Sequence, residues 1–294
     1  MAFIVSAWRT VLTWLLIAVN WFMGLFAYPV YIPALYKGLD YSKFELTWSD
    51  EFNSMEWDTE KWGDPNRRIA SERQGGYWDS TAVTFDGTAA HIRTEYREAD
   101  AQGHPAGWYS GILEANTTFR QQYGYFEARL IPAKGVGLWS AFWMFAGSVI
   151  YVGDAGNDGT EIDIIETFNF NYNTAFGSKF RRESFQSALH YDGYGSGTHQ
   201  ALAGPRTHAY NLYDEYHTFG VEWNPEEYVF YIDGREYWRT DFGEVSDVPE
   251  YVVLSTEVAK DLEINENPAE TPPTDFIIDY VRIYQYKDLP ETPV

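Results

Sequence analysis

The sequence contains no cysteine. A thiol nucleophile, a thiolate metal site and a disulfide framework are therefore excluded. Packing must stabilise the fold, with or without a metal ion bound through other ligands. Histidines are also few: the chain has six, and His199, His208 and His217 lack the spacing of a zinc motif, so we do not interpret them as metal ligands.

Basic residues are scarce as well. Lys and Arg number 21 against 43 Asp and Glu, which gives a formal net charge of −22 at pH 7. A protein of this charge is not expected to bind nucleic acid through its phosphates. It is also poorly suited to a polyanionic substrate unless basic residues cluster locally, and Arg181-Arg182 is one such local pair.

Aromatic residues, by contrast, are abundant: they make up 18% of the 294 residues and include 12 Trp and 23 Tyr. From about residue 44 they occur in short alternating segments separated by turn signals such as Asp86-Gly87 and Asp233-Gly234. We find no internal repeat and no long amphipathic helix there. The pattern indicates an all-β sandwich, and the length suits one large domain with a short extension.

The extension is the N-terminal segment. Residues 1–27 are apolar, with Arg9 as their only charge. We interpret them as a helical signal peptide or signal anchor, which predicts a secreted or membrane-anchored extracellular protein. The alternative is an apolar helix packed on the sandwich. Residues 28–43, which include two prolines, are predicted to form an extended linker.

One stretch, Glu161-Ile-Asp163-Ile-Ile-Glu166, combines three carboxylates with three isoleucines. β-Branched residues between polar ones predict a strand, in which Glu161 and Asp163 share one face and the isoleucine between them points to the core. In a regular strand Glu166 would fall on the core face, where an unpaired carboxylate is costly. One extra residue at Ile164-Ile165, a β-bulge, would return Glu166 to the face of the other two acids.

Three acids on one face repel one another, so stability alone would not select them. Glycoside hydrolysis requires two carboxylates that flank the scissile bond, one attacking the sugar carbon and one protonating the leaving oxygen. A third carboxylate between them can keep the first two in different ionisation states. The alternative interpretation is a strand with a solvated acidic face.

The same stretch resembles the catalytic signature of glycoside hydrolase family 16, E-x-D-x-x-E in its bulged form. Other segments between residues 44 and 286 resemble that family in the same order: Trp48-Ser-Asp-Glu-Phe52, Tyr109-Ser-Gly111, Tyr123-Gly-Tyr-Phe-Glu-Ala-Arg129, Leu138-Trp-Ser-Ala-Phe-Trp-Met144 and Asp279-Tyr-Val-Arg-Ile-Tyr284. The resemblance implies a jelly-roll β-sandwich of the concanavalin A-like type. The catalytic domain would cover residues 44–288, with a C-terminal tail over 289–294.

The resemblance also implies roles. Glu161 would be the nucleophile of a retaining mechanism, Glu166 the general acid and then base, and Asp163 the residue that tunes their protonation. The implied enzyme is a monomeric endo-β-glucanase that needs no cofactor and acts on β-1,3- or mixed β-1,3/1,4-glucan. Three alternatives stay open: a hydrolase of red-algal galactans (agarase, porphyranase or carrageenase-like), a non-catalytic glucan-binding module, and a transglycosylase with the same residues.

Six further residues are predicted to bind the sugar chain. Trp139 and Trp143 are four apart and therefore share a face of a strand, which the resemblance places in the cleft; a core layer is the alternative. The remaining four are Trp78, Tyr109, His190 and Glu257. For His190, a purely structural role is the alternative.

A structural calcium ion on the convex side of the sandwich is a further implication of the resemblance. Asp279 matches the position of the family's side-chain ligand, and Glu51 lies in the partner segment. Oxygen ligands of this type suit Ca²⁺. The alternative is that both are ordinary surface charges.

Overall fold

The computed structural model describes residues 37–67, 71–135, 137–168, 183–259 and 273–289. The predicted signal or anchor over 1–27, the start of the predicted linker, the Arg181-Arg182 pair and the tail beyond 289 lie outside these ranges. Within them, no helix is both long enough and apolar enough to cross a membrane.

The described chain is built almost entirely of strands. In chain order they are β1 (Phe44–Asp50), β2 (Ser71–Arg73), β3 (Gly76–Trp78), β4 (Val83–Phe85), β5 (Ala90–Arg97), β6 (Gly107–Ser110), β7 (Ile112–Glu114), β8 (Gly124–Ile131), β9 (Leu138–Phe145), β10 (Glu161–Phe168), β11 (Ser184–Tyr191), β12 (Gln200–Ala203), β13 (Thr207–His208), β14 (His217–Trp223), β15 (Tyr228–Ile232), β16 (Arg235–Thr240), β17 (Tyr251–Val258) and β18 (Thr274–Tyr286). A single-turn helix α1 (Thr59–Trp62) begins after Asp58, whose carboxylate accepts hydrogen bonds from the first-turn N–H groups. Short 3₁₀ turns span Tyr41–Lys43, Pro65–Arg67, Ser80–Ala82 and Gly147–Ile150.

Over the described residues the strands form two sheets. The smaller sheet has the order β12-β11-β10-β9-β17-β7, with β13 beside β11. The larger sheet has the order β16-β15-β14-β8-β18-β5-β6-β3-β2, with β1 beside β18 and β4 beside β5. The non-sequential neighbours are the crossovers of a jelly roll. The predicted all-β sandwich is confirmed.

Turn chemistry sets the hairpins as predicted. Asp86-Gly87 separates the antiparallel pair β4 and β5. Between β15 and β16, Asp233 and Gly234 have φ angles of 50° and 66°, the left-handed values that a two-residue type I′ hairpin requires. Residues 71–78 form β2 and β3, which pair antiparallel with each other, and β3 also pairs in parallel with β6.

The core lies between the two sheets. Ile162 and Ile164 of β10 join one buried cluster with Phe126 of β8 and Phe219 of β14. Burial of side chains of this size stabilises the fold by roughly 1.5–3 kcal/mol each. The opposite side chains of the smaller sheet are thereby turned outward, and this is the face that carries the acids.

Residues 37–43 cover the other face of the larger sheet. The N–H of Leu39 donates to Gly234 O at 2.8 Å, and Gly38 bridges to Arg235. The hydroxyl of Tyr41 donates to the buried carboxylate of Glu127 at 2.7 Å. This part of the predicted linker is therefore packed on the sandwich, because its aromatic ring and backbone find partners there.

Candidate active site

The three acids of β10 are brought to one face by a β-bulge. Between Asp163 and Glu166 the strand advances three residues while its neighbour β11 advances two, from Ala188 to Gln186. The neighbour on the other side, β9, shows the shift at the same place. The extra residue keeps Ile164 and Ile165 in the core, each 1% exposed. The bulge that the sequence predicted at these isoleucines is therefore present.

The flanking strands complete an open cleft over this face. Trp143 of β9 lies opposite Asp163, and Ala141 lies opposite Glu166. Strand β17 adds Ser255 opposite Ala141. The wider cleft has a volume of about 790 Å³ and also receives side chains from β2, β3, β7, β11 and the loop that follows β11.

Glu166 is the more deeply buried of the two glutamates. It is 6% exposed, and the indole N–H of Trp139 donates to its Oε1 at 2.9 Å. Burial, and then the negative charges of Asp163 and Glu161, raise the pKa of Glu166 well above its ordinary value. A carboxyl group in this state keeps its proton near neutral pH and can act as an acid.

Asp163 lies between the two glutamates and is 3% exposed. Burial, followed by the charges of Glu161 and Glu257, raises its pKa well above the usual range. His190 Nε2 lies 3.3 Å from Asp163 Oδ2. Burial lowers the pKa of this imidazole, which favours its neutral form.

Glu161 lies at the more open end of the three acids. Burial raises the pKa of its carboxyl, and the Tyr194 hydroxyl, His190 and Arg73 oppose that rise. Tyr194 donates its hydroxyl hydrogen bond directly to Glu161 Oε2. Hydrogen-bond donation to the charged form favours a carboxylate, which is the form that a nucleophile needs.

Five of the six predicted sugar-binding residues line the cleft, and Tyr109 does not. Trp139, Trp143, His190, Glu257 and Trp78 all line the cleft. The Trp143 indole donates to Ser255 Oγ at 3.1 Å and the Trp78 indole to Thr256 O at 2.9 Å, which holds both rings in place.

Tyr109 does not line the cleft. Its side chain is 1% exposed, stacks on Tyr77 and donates its hydroxyl to Pro105 O. The prediction that it binds substrate is not supported, because the neighbouring strand β3 covers its ring.

Sequence reasoning missed three side chains of the cleft. Arg73 from β2 binds Glu257 through Nε at 2.6 Å. Tyr194 and His199 come from the loop after β11, where His199 stacks on His190 with ring centroids 5.0 Å apart. None of the three belongs to a motif. Arg73 reaches the cleft through the pairing of β2 with β3, and Tyr194 and His199 reach it through the path of the loop after β11.

The predicted calcium ligands do not form a metal site as placed. Asp279 is ion-paired with Arg129, and Glu51 is held by two hydrogen bonds of 2.9 and 2.8 Å from Arg282. Each carboxylate is already neutralised by an arginine. Neither belongs to a group of three close metal-ligating side chains within the described parts of the chain.

Comparison with known proteins agrees with this geometry. A family model described as "Beta-porphyranase A-D, GH16 domain" matches residues 43–286. The endo-1,3-1,4-beta-glycanase EglC of Rhizobium meliloti (strain 1021) is 25% identical over 279 residues, which are 84% of this chain and 53% of EglC. The chain thus spans about half the length of this curated relative.

Two solved structures share the fold. The non-specific endo-beta-1,3(4)-glucanase SCLam superposes with a TM-score of 0.65 at 23% identity, over 86% of this chain and 94% of SCLam. Porphyranase B from Zobellia galactanivorans superposes with a TM-score of 0.68 at 19% identity, over 83% of this chain and 94% of its own. The family match covers most of the chain and includes the bulged strand with its three acids, and the chain therefore belongs to glycoside hydrolase family 16.

Proposed function

We propose that this protein is a retaining endo-β-glucanase that hydrolyses β-1,3- or mixed β-1,3/1,4-glucan. The observation that carries the proposal is the bulged strand β10, which presents Glu161, Asp163 and Glu166 to one cleft while its isoleucines stay in the core. An acidic strand that served only solubility would leave its carboxylates in water. Here Asp163 and Glu166 are almost buried and next to each other, at a cost in free energy that a catalytic role explains.

The environments of the two glutamates support different catalytic roles for them. In the first step Glu161 attacks the anomeric carbon and Glu166 gives its proton to the leaving oxygen, so that a covalent glycosyl-enzyme forms. In the second step Glu166 takes a proton from water, and that water releases the sugar from Glu161. When Asp163 is ionised, its negative charge raises the pKa of Glu166 and helps Glu166 to hold the proton until the leaving oxygen needs it.

The lining of the cleft supports a neutral sugar polymer. Trp139 and Trp143 offer flat apolar faces for sugar rings. The arginine of the cleft, Arg73, is already paired with Glu257. A sulfated chain would meet the unbalanced negative charge of the catalytic acids.

A red-algal galactan of the porphyran type is the second candidate substrate. It is favoured by the description of the matching family model and by the similarity to porphyranase B. Arg181 and Arg182, which lie outside the described residues, are the local basic pair that could receive a sulfate group.

A substrate panel tests the proposal. Purified protein is incubated with laminarin, barley β-glucan, porphyran, agarose, carrageenan and carboxymethylcellulose, and the products are sized. We expect short oligosaccharides of mixed length from laminarin or barley β-glucan, the sign of endo cleavage. Cleavage of porphyran alone would replace the first candidate by the second, and binding without cleavage of any polymer would leave a carbohydrate-binding module.

Secretion or membrane anchoring through residues 1–27 belongs to the same proposal, because a polysaccharide of this size has to be cut outside the cell. Fractionation of a producing cell would test it. Recovery of the protein in the cytosol alone would contradict it.

A further inference from the structure

Glu161, Asp163 and His190 form a compact group of side chains that can bind metal. One oxygen from each carboxylate and one imidazole nitrogen all lie within 4.8 Å of one another. The pairing of β10 with β11 places His190 directly opposite Glu161, and Asp163 lies two residues further on the same face. Three ligands from two neighbouring strands form a relatively rigid set.

Asp163 provides an independent observation that points to a ligand here. Its Oδ2 is buried and accepts no hydrogen bond, and the residue is 3% exposed. A buried carboxylate oxygen without a donor is costly, and a cation is one way to compensate it. The unsatisfied oxygen faces His190, since His190 Nε2 is 3.3 Å away.

His190 is held in an orientation that suits a metal ligand. Its Nδ1 lies 2.9 Å from His199 Nε2, and the two rings are stacked with an interplanar angle of 14°. If Nδ1 donates its proton to His199, the lone pair of His190 is on Nε2, the nitrogen that faces Asp163. A metal-binding histidine is usually fixed by donating its other ring N–H to a neighbouring acceptor, and here that acceptor is the His199 ring.

The ligand types select a class of ion. Calcium and magnesium prefer oxygen ligands alone, and in larger numbers. Two carboxylates and one imidazole suit Zn²⁺, which accepts three protein ligands and one water in a tetrahedral arrangement. Cu²⁺ and Ni²⁺ also bind such mixed nitrogen and oxygen sets.

We propose that Glu161, Asp163 and His190 bind one zinc-class divalent ion (Zn²⁺, Cu²⁺ or Ni²⁺), and that this ion competes with the polysaccharide. A bound ion occupies the carboxylate of Glu161 and fills the space in which a sugar ring would lie. The binding part goes beyond the proposed hydrolase activity and does not depend on it. The competition part rests on that activity.

Isothermal titration of the chelator-stripped full chain tests binding without any substrate. We expect one Zn²⁺ per chain and no saturable heat from Ca²⁺ at the same concentrations. Ni²⁺ or Cu²⁺ should quench tryptophan fluorescence, because Trp139 and Trp143 line the same cleft. Absence of stoichiometric zinc binding, or equal binding of calcium, would overturn the proposal.

Variants locate the site. His190→Gln and Glu161→Gln should each weaken zinc binding at least about tenfold, as expected for loss of a ligand. His199→Phe keeps a ring stacked on His190 but removes its nitrogen partner, and should cost roughly tenfold. His104→Gln is the matched control, because His104 is a surface histidine that pairs with Asp100 and is far from these strands in sequence. The zinc affinity of this variant should stay within about twofold of that of the natural protein.

The outcomes separate binding from function. Circular dichroism shows whether each variant is folded. Because two ligands are changed in separate variants, the test still decides if one of the two variants does not fold. Unchanged zinc affinity in both His190→Gln and Glu161→Gln would place the ion elsewhere and reject the site. If a polymer is cleaved, zinc should raise its KM and leave kcat unchanged; a fall in kcat at constant KM would reject competition while binding stands.

Discussion

Buried acids occur on both sheets of this protein, and the two sets differ in their hydrogen-bond partners. On the larger sheet, Glu127 accepts hydrogen bonds from the hydroxyls of Tyr41 and Tyr284. On the same sheet, Glu222 accepts from Tyr231 and Tyr286 at 2.8 Å each and also binds a lysine. On the smaller sheet, Asp163 has a buried oxygen that accepts no hydrogen bond.

This difference separates structural acids from reactive ones. A buried carboxylate surrounded by hydrogen-bond donors is stabilised and unreactive. A buried carboxylate that faces other carboxylates has an altered pKa and little to hold its charge, which is the condition for acid–base catalysis. The comparison predicts that changes on the smaller sheet will affect turnover, whereas changes on the larger sheet will affect stability.

The largest effect is expected from Glu161→Gln. The amide cannot form a glycosyl ester, so turnover of any accepted polymer should fall by more than about a thousandfold while the fold remains intact. Initial rates and circular dichroism measure the two parts. The matched control is Glu222→Gln, which should lower the melting temperature but leave kcat unchanged. If Glu161→Gln kept more than about a tenth of normal turnover, Glu161 would not be the nucleophile.

Loss of the acid is expected to have a slightly smaller and rescuable effect. Glu166→Ala should slow hydrolysis of natural glucan by roughly 10²–10⁴-fold, but an aryl glycoside with a good leaving group should still form the glycosyl-enzyme. Azide can then attack without a general base and should give a β-configured glycosyl azide. Glu161→Ala should give the α-azide by a single inversion, and the opposite pair of products would exchange the two roles.

A smaller loss is expected from Asp163→Asn, roughly tenfold to a hundredfold in kcat. Its charge is the largest cause, after burial, of the raised pKa of Glu166. The neutral amide should lower that pKa, so the alkaline limb of the kcat/KM profile should move to lower pH. A profile of unchanged shape and height would mean that Asp163 is only a structural residue.

The smallest effect concerns stability, at Glu250, a fully buried acid beside the cleft strands. Its Oε1 accepts from Thr160 N at 3.2 Å, and burial raises its pKa to about 8. The folded pKa is above the unfolded one, so the stabilisation is complete below about pH 4.5 and is lost as pH rises towards 8.

Glu250→Gln removes this proton linkage. The free energy of unfolding of the natural protein should fall between pH 5 and pH 8. In the variant this fall should be smaller by roughly 1–3 kcal/mol. Urea denaturation at the two pH values measures the difference, and exposed Glu226→Gln serves as the control. Parallel curves for Glu250→Gln and the natural protein would contradict the assigned pKa.

Local pattern was sufficient for much of the fold and for the catalytic acids. The alternation of isoleucine and carboxylate in residues 161–166, together with the cost of burying Glu166 alone, predicts the bulge before any tertiary contact is known. Turn residues such as Asp233-Gly234 predict their hairpin for the same reason, because they restrict the backbone locally. The faces of Trp139 and Trp143 follow from their spacing.

The sequence by itself therefore determined the strands, their core faces, the acid triad and the absence of thiol chemistry. Only the tertiary structure decided which distant side chains join the cleft: Tyr194 on Glu161, His199 on His190, and Arg73 on Glu257. It also decided that Tyr109 is covered and that Asp279 is neutralised by Arg129. These contacts join residues far apart in the chain through loop paths and strand order, which no local periodicity encodes.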